Sequence, residues 1–552
     1  MVLTLILATL SQAACTHDSS NALVSGDAVR AVISTDNPLE YVLDLGTGDF
    51  VRLVGEATGA VLLRLIGPTG DTLQHSYIGW QAPLPLRLSH VATSPGPHRL
   101  EVLRTPGDTS SVQFELRVDE LLSPAEYATR MDSLRSDPRV QWLAENVLPL
   151  PSLSLEGDDF ADLGPLRRQI GDARIVLLGE ESHASGTTIR AMSRLVQFLH
   201  QEMNFDVLAF ESSMFGMWQV GELLRSGHEP VDALQQGLIG TWSRSPDFEP
   251  LARYIGAQAR GAHPIDVAGV DARFEPMDRE RLIPGIREVS EALGVGIEGR
   301  DVEAGFWSTL CGFMAGRYLD ADSLPPRQVQ EDVISDLRWL AGRLSDSATV
   351  REGESARTLG FWAESSRSLA GLMVNVWSEV RGEGGVDRRR DGQMARNLLW
   401  LAREQFPGRK IIVWAHNYHV IRHPFRIDPG LDCDCLMGQL IWEALGESSF
   451  VIAATAFSGE SMWRAMSYDW PDLTVATDQD VAFELEELLE ATGLEHGVLP
   501  LRDLAPGGDW LGTAILSRLP NNYYSVPGVW PDHADAVLFL RTITPRRPAN
   551  PT

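Results

Sequence analysis

The stretch Arg174-Ile-Val-Leu-Leu178-Gly179-Glu180-Glu181-Ser182-His183 decides the fold, read with the segment Thr187 to Met203 and with Phe205-Asp-Val-Leu-Ala-Phe-Glu211. A short apolar run ended by glycine reads as a buried strand, and the 3.6-residue apolar period from Thr187 to Met203 reads as a helix. Another apolar run, Val207-Leu-Ala-Phe210, closes on Glu211, and the theme returns at Ile265-Asp-Val-Ala-Gly269 and Ile411-Ile-Val-Trp414. Strands alternating with helices from residue 158 onward predict an α/β domain with a mainly parallel sheet flanked by helices. In such sheets ligands bind at the carboxyl ends of the strands. Glu180 and His183 stand there after the first strand, Glu211 after the second, Asp271 after the third, and His416 with His419 after the fourth.

Outward from this core the pattern changes. Residues 283–380 read as successive helices without strands, a helical insertion capping the sheet. Residues 22–120 carry short alternating or β-branched runs (Tyr41-Val-Leu-Asp-Leu, Phe50-Val-Arg-Leu-Val, Val61-Leu-Leu-Arg-Leu-Ile, Phe114-Glu-Leu-Arg-Val) between Gly, Pro and Asp turns, which predicts an all-β sandwich domain. That pattern, with Gly67-Pro68-Thr69-Gly70-Asp71, is similar to the pre-peptidase C-terminal type of extracytoplasmic β-domain. Residues 121–157 read as a helical linker, which leaves 158–545 to the α/β domain. Residues 1–15 read as a signal peptide, so export to the cell envelope or beyond is expected. Ala13-Ala-Cys15 resembles a bacterial lipoprotein signal, with Cys15 as the lipid anchor. No apolar run reaches the length of a membrane-spanning helix.

The chain has 552 residues, 44% of them apolar, enough to bury a sizeable core. Its net charge of −28 argues against nucleic acid and against an anionic membrane surface as partners. Four cysteines exclude a disulfide scaffold, and the Cys433-x-Cys435 pair is too tight for a zinc knuckle with no second pair to complete it. Gly294-Val-Gly296-Ile-Glu-Gly299 follows a helical pattern, so it is not read as a dinucleotide fingerprint. The acidic stretch Glu484 to His496 reads as an amphipathic helix with a solvated face, and the run Asp387-Arg-Arg-Arg-Asp391 as the kind of charge cluster that water usually covers. Trp218, Trp242 and Trp307 are candidate walls of an apolar cleft.

Four motifs in order resemble the erythromycin esterase family: Gly179-Glu180-Glu181-Ser182-His183 with Phe205 to Glu211, then Arg390-Asp-Gly-Gln-Met-Ala-Arg-Asn-Leu398, then Ile411-Ile-Val-Trp-Ala-His-Asn-Tyr-His419, and Met437-Gly438. The resemblance implies a hydrolase of carboxylic esters or lactones, with essential roles for Glu180, His183, Glu211, His416 and His419. The residue chemistry agrees: His183 can take a proton from water, Glu180 or Glu211 can hold the imidazolium, and His416 can donate to an oxyanion. No Gly-x-Ser-x-Gly elbow is present, so water is the expected nucleophile. Arg390, Asp271 and Trp242 are the candidate substrate-binding residues. The family usually places Arg or Lys nine residues after the motif histidine. Met192 stands there, flanked by Arg190 and Arg194 on the wrong face of the helix, so either another cation such as Arg390 serves or the substrate lacks the group that cation binds.

No cofactor is expected. The alternative is a divalent-metal hydrolase using Glu180, His183, Glu211 and His416 as ligands. A non-enzymatic alternative is an inactive relative whose cleft binds an envelope ligand, which Met192 favours.

Overall fold

A computed structural model describes residues 22–547, apart from 36, 60, 71, 79–85, 105–110, 158, 295–302, 319, 384–385, 424–435, 460–483 and 521–524. The signal-peptide reading, Cys15, Cys433 with Cys435, and most of the Gly294–Gly299 motif lie outside the described residues. The chain divides into two compact units, one running to Tyr127 without Tyr77–Pro85 and the other comprising the remainder.

In the N-terminal unit the alternating runs form two four-stranded sheets. One joins Ala28–Ile33, Val112–Leu122, Phe50–Ala57 and Leu86–Val91 in that order, and the other joins Leu39–Leu45, Gly96–Arg104, Val61–Ile66 and Thr72–Ile78. The neighbours in the first sheet run antiparallel, as do Leu39–Leu45 with Gly96–Arg104 and Gly96–Arg104 with Val61–Ile66 in the second. Along Val112–Leu122 the residues Val112, Phe114, Leu116 and Val118 are buried and their neighbours exposed, the period of two that a half-covered strand needs.

The second unit is built on an eight-stranded sheet. Its strands are β1 (Leu148–Pro149), β2 (Ile175–Glu180), β3 (Phe205–Ser213), β4 (Asp266–Asp271), β5 (Lys410–His416), β6 (Ser449–Gly459), β7 (His496–Pro500) and β8 (Ala536–Ile543). The spatial order is β4-β3-β5-β2-β6-β8-β7-β1. The six strands from β4 to β8 are parallel, and β7 is antiparallel to both its neighbours. Every residue of β2 is buried, as expected when helices cover both faces of a parallel sheet.

Helix α1 (Gly186–Met203) returns the chain across the sheet. Ser185 caps it by accepting the Thr188 N–H at 3.1 Å, and Asn204 ends it in the left-handed conformation. Helices α2 (Met214–Arg225) and α3 (Val386–Trp400) precede β4 and β5 respectively. Between β4 and α3 lie the successive helices Pro276–Ala292, Glu303–Met314, Arg327–Thr349 and Gly353–Val380, so the insertion begins a few residues before its sequence-based limit.

Residues 121–157 contain the helices Pro124–Arg135 and Pro138–Asn146, and β1 then pairs with β7 at the sheet edge. Val140, Trp142 and Leu143 are buried, and the segment from Ala128 onward belongs to the second unit. One expectation changes. The acidic helix Leu485–Ala491 has no solvated acidic face: Glu484, Glu486, Glu487 and Glu490 are all buried. They are tolerated because partners reach them: Thr455 and Ser517 donate to Glu486, Ser525 to Glu484, and Arg541 to Glu490. Among the described residues no helix is long and apolar enough to cross a membrane.

Glycine is required at position 179 by space alone. A methyl group there would meet Asn417 Oδ1 and the Val420 side chain well inside van der Waals contact. Asn417 cannot swing away, since its amide donates to the Ala454 and Leu519 carbonyls and its Oδ1 accepts the Ala454 N–H. Gly179→Ala is expected to cost about 1–3 kcal/mol, read as a lower denaturant midpoint at unchanged slope.

Candidate functional site

Register brings the strand-end residues together. Glu180 pairs opposite His416 where β2 meets β5, and Ser213 pairs opposite Asp271 where β3 meets β4. The β3–β4 register shifts between Phe210 and Ser213, so Glu211 sits at a bulge, the device that re-aims a side chain at a strand end. Gly269 makes the bulge possible, because a Cβ there would collide with the Ser212 and Ser213 carbonyls.

Glu180 is fully buried and accepts three N–H groups: His183 Nδ1 at 2.5 Å and Trp242 Nε1 at 2.9 Å on Oε1, and Trp414 Nε1 at 2.8 Å on Oε2. Burial pushes its pKa upward, against His183 and the two indoles. With its proton on Nδ1, His183 joins the two indoles as a third donor, and the carboxylate accepts all three. His183 stands edge-on to Trp242, with ring centroids 5.3 Å apart, and 5.4 Å from the ring of His416. Its Nε2 is 3.9 Å from Glu211 Oε2. Burial disfavours the imidazolium, but Glu211 and then Glu180 outweigh it and hold His183 above its usual pKa.

Glu211 Oε2 accepts the backbone N–H of His416 at 2.9 Å, and Oε1 accepts Arg390 Nη2 at 2.6 Å. Burial would raise Glu211, but His419, His183 and Arg390 hold it well below the carboxylate range. Arg390 also grips Asp271 through Nε and through Nη2 at 2.5 Å. Burial works against the Asp271 anion too, and Arg390 overturns it. His416 Nδ1 accepts the Tyr418 N–H at 3.2 Å, which places the ring proton on Nε2. Burial and the neighbouring His183 push its pKa down to about 3, so it is a neutral donor, with the Glu181 backbone as a further partner. Glu181 itself is buried, accepts the Thr188 hydroxyl at 2.6 Å, and is raised by burial to about 7.

His419 closes the cluster. Its Nδ1 donates to Asp391 at 2.9 Å, and its Nε2 lies 3.3 Å from Glu211 Oε1 and 3.0 Å from Arg390 Nη1. Burial opposes its charge, while Asp391 and Glu211 raise it to about 10. Asp391 and Glu211 favour the charged ring, while the Arg390 guanidinium, which can only donate to Nε2, favours the ring that keeps its proton on Nδ1.

The structure therefore brings Glu180, His183, Glu211, His416, His419, Arg390 and Asp271 into one cluster at the carboxyl ends of β2 to β5. Trp242 needs correction: it is fully buried behind Glu180 and holds that carboxylate, so it lines no open cleft. Trp218 stacks on Phe361 at 4.4 Å and Trp307 carries Arg287 at 4.7 Å, both outside the cluster. Met192 is buried among apolar side chains, and Arg190 and Arg194 are paired elsewhere, with Asp247 and Asp162. Arg390 is a cation of this cluster, paired with Glu211 and Asp271. Asp391 and Trp414 touch cluster residues and were passed over by sequence reasoning. For Asp391 a signal existed: Asp391, Met394, Ala395 and Leu398 fall at i, i+3, i+4 and i+7, the buried face of α3.

Glu180, Glu211 and His416 accept indole, guanidinium and backbone N–H donors. Among the described residues no three His, Cys, Asp or Glu side chains are arranged to hold a metal ion.

A family model described as erythromycin esterase matches residues 200–543, more than half of the chain. The chain belongs to the erythromycin esterase family. The match takes in Glu211, Asp271, Arg390, His416 and His419. It is 23% identical over 429 residues to the YbfO protein of Bacillus subtilis (strain 168), whose name carries a provisional hydrolase label, covering 73% of this chain and 91% of that one. It is 24% identical over 347 residues to the erythromycin esterase type II of Escherichia coli, covering 58% and 78%. In fold it is similar to a Bacillus cereus protein (TM-score 0.58, 16% identity, 76% and 99% covered). A mutant of the erythromycin esterase EreC in its open conformation is also similar (TM-score 0.51, 18% identity, 71% and 96% covered).

Proposed function

We propose that this member of the family hydrolyses a carboxylic ester or lactone of a small molecule, with water as the nucleophile and without a metal. The observation that carries the reading is the Glu180–His183 pair: Nδ1 is committed to the carboxylate, so proton transfer falls to Nε2. In the proposed step His183 Nε2 takes a proton from water as its oxygen adds to the carbonyl carbon. The neutral His416 turns its Nε2–H from the Glu181 backbone to the oxyanion. The tetrahedral intermediate then expels the alkoxide, which receives the proton back from His183. Glu211 stabilises the imidazolium while it exists.

The test is hydrolysis of a panel of esters and macrolide lactones in ¹⁸O-water, with the products read by mass spectrometry. The expected result is turnover that places one ¹⁸O in the acid product and is unchanged by a chelator. Turnover lost to chelator and restored by zinc or manganese would overturn the metal-free mechanism. A folded protein that binds panel members saturably but turns over none would overturn the hydrolase reading in favour of a binding protein.

A further inference from the structure

Asp391 follows Arg390 directly, yet the two side chains do different things. Arg390 holds Asp271 and Glu211, while Asp391 faces His419 and the start of the helix Met437–Leu445. Asp391 is fully buried. Its Oδ1 accepts His419 Nδ1 at 2.9 Å and the Met437 N–H at 2.9 Å, and its Oδ2 lies 3.0 Å from the same Nδ1. A buried carboxylate is a costly group to use for accepting an amide N–H alone, since a neutral carbonyl would do that without a charge to desolvate. What a carboxylate adds is a fixed proton on the histidine nitrogen that faces it.

The opposite nitrogen shows where that control leads. His419 Nε2 touches Glu211 Oε1 and Arg390, and Glu211 Oε2 holds the His416 N–H and faces His183 Nε2. A rotation of the His419 ring would move the support of Glu211, which in turn faces the base.

We infer that Asp391 is a positioning residue of the hydrolytic site: it fixes the ring of His419 and its Nδ1 proton, so that Nε2 stays on the Glu211–Arg390 pair. This rests on the hydrolase reading for its kinetic consequence but not for its structural content. Asp391 touches no reacting atom and acts through His419.

Asp391→Asn separates anchoring from positioning. The asparagine keeps the shape and one oxygen, enough to accept the Met437 N–H, but then offers its NH₂ to His419 and reverses the hydrogen bond. The full-length protein, labelled with ¹⁵N-histidine and assigned with His419→Asn, is expected to show a protonated Nδ1 on His419. In Asp391→Asn that nitrogen is expected to become an unprotonated acceptor. On an ester that the wild type turns over, kcat is expected to fall about 10- to 100-fold. KM should stay within about twofold and the melting temperature near that of the wild type. Asp391→Glu should recover part of kcat and the protonated Nδ1. An unprotonated Nδ1 in the wild type would overturn the inference, whether or not the variant folds. So would an Asp391→Asn protein with wild-type kcat, or one whose loss lies wholly in stability. If no ester is turned over, the hydrolase reading fails while the nitrogen spectra still decide whether Asp391 holds His419.

Discussion

His183→Ala is expected to lower kcat/KM about 10³- to 10⁴-fold, toward the upper end of what general-base catalysis supplies. The fold should survive, because His183 is a loop residue at a strand end and no part of the apolar core. The loss should lie in kcat, since the ring acts on the attacking water and not on the ground-state ester. The wild type carries a second signature. The base works only when neutral, and Glu211 with Glu180 stabilises its charged form against burial. Activity should therefore fall as pH drops through a value above the ordinary histidine pKa of 6.5. That acidic limb should be absent from whatever activity His183→Ala retains. A variant with wild-type turnover, or one that keeps the same limb, would remove His183 from the chemistry.

Glu180→Gln should be nearly as damaging to turnover, and it should also cost stability. Three N–H donors converge on this carboxylate, from His183, Trp242 and Trp414. A glutamine offers one oxygen and one NH₂, so at least one buried donor must face another donor. Leaving such a group unpaired costs about 1–3 kcal/mol, which should appear as a lower denaturant midpoint. The kinetic loss should be about 10³- to 10⁴-fold, because an amide no longer fixes the Nδ1–H tautomer or supports the imidazolium. Loss of stability with full activity would mean that Glu180 is a structural anchor for the two tryptophans and not a partner of the base.

Much of the candidate site could be read in the residues before any coordinates. Glu180, His183, Glu211, Asp271, His416 and His419 all follow apolar runs that become β2 to β5, and parallel sheets gather polar groups at those ends. What stayed hidden depends on pairs far apart in the chain. Trp242 and Trp414 are 62 and 234 positions from Glu180, and nothing in an aromatic residue's neighbours tells whether its indole will meet a carboxylate or a ligand. Arg390 and Asp391 looked like water-covered charges because their flanks are charged. The apolar period after them was the better guide.

The order of apolar runs, helical periods and glycines was by itself enough to determine the α/β class of the second unit and an all-β unit before it. It also determined which acids and histidines stand at strand ends, because local periodicity and turn chemistry are written in adjacent residues. Only the tertiary structure decided which of those groups share a proton, which hold one another, and which charged stretches are buried. Burial makes a buried charge costly unless it is paired, and the pairing is made by strand register and helix packing between residues hundreds of positions apart.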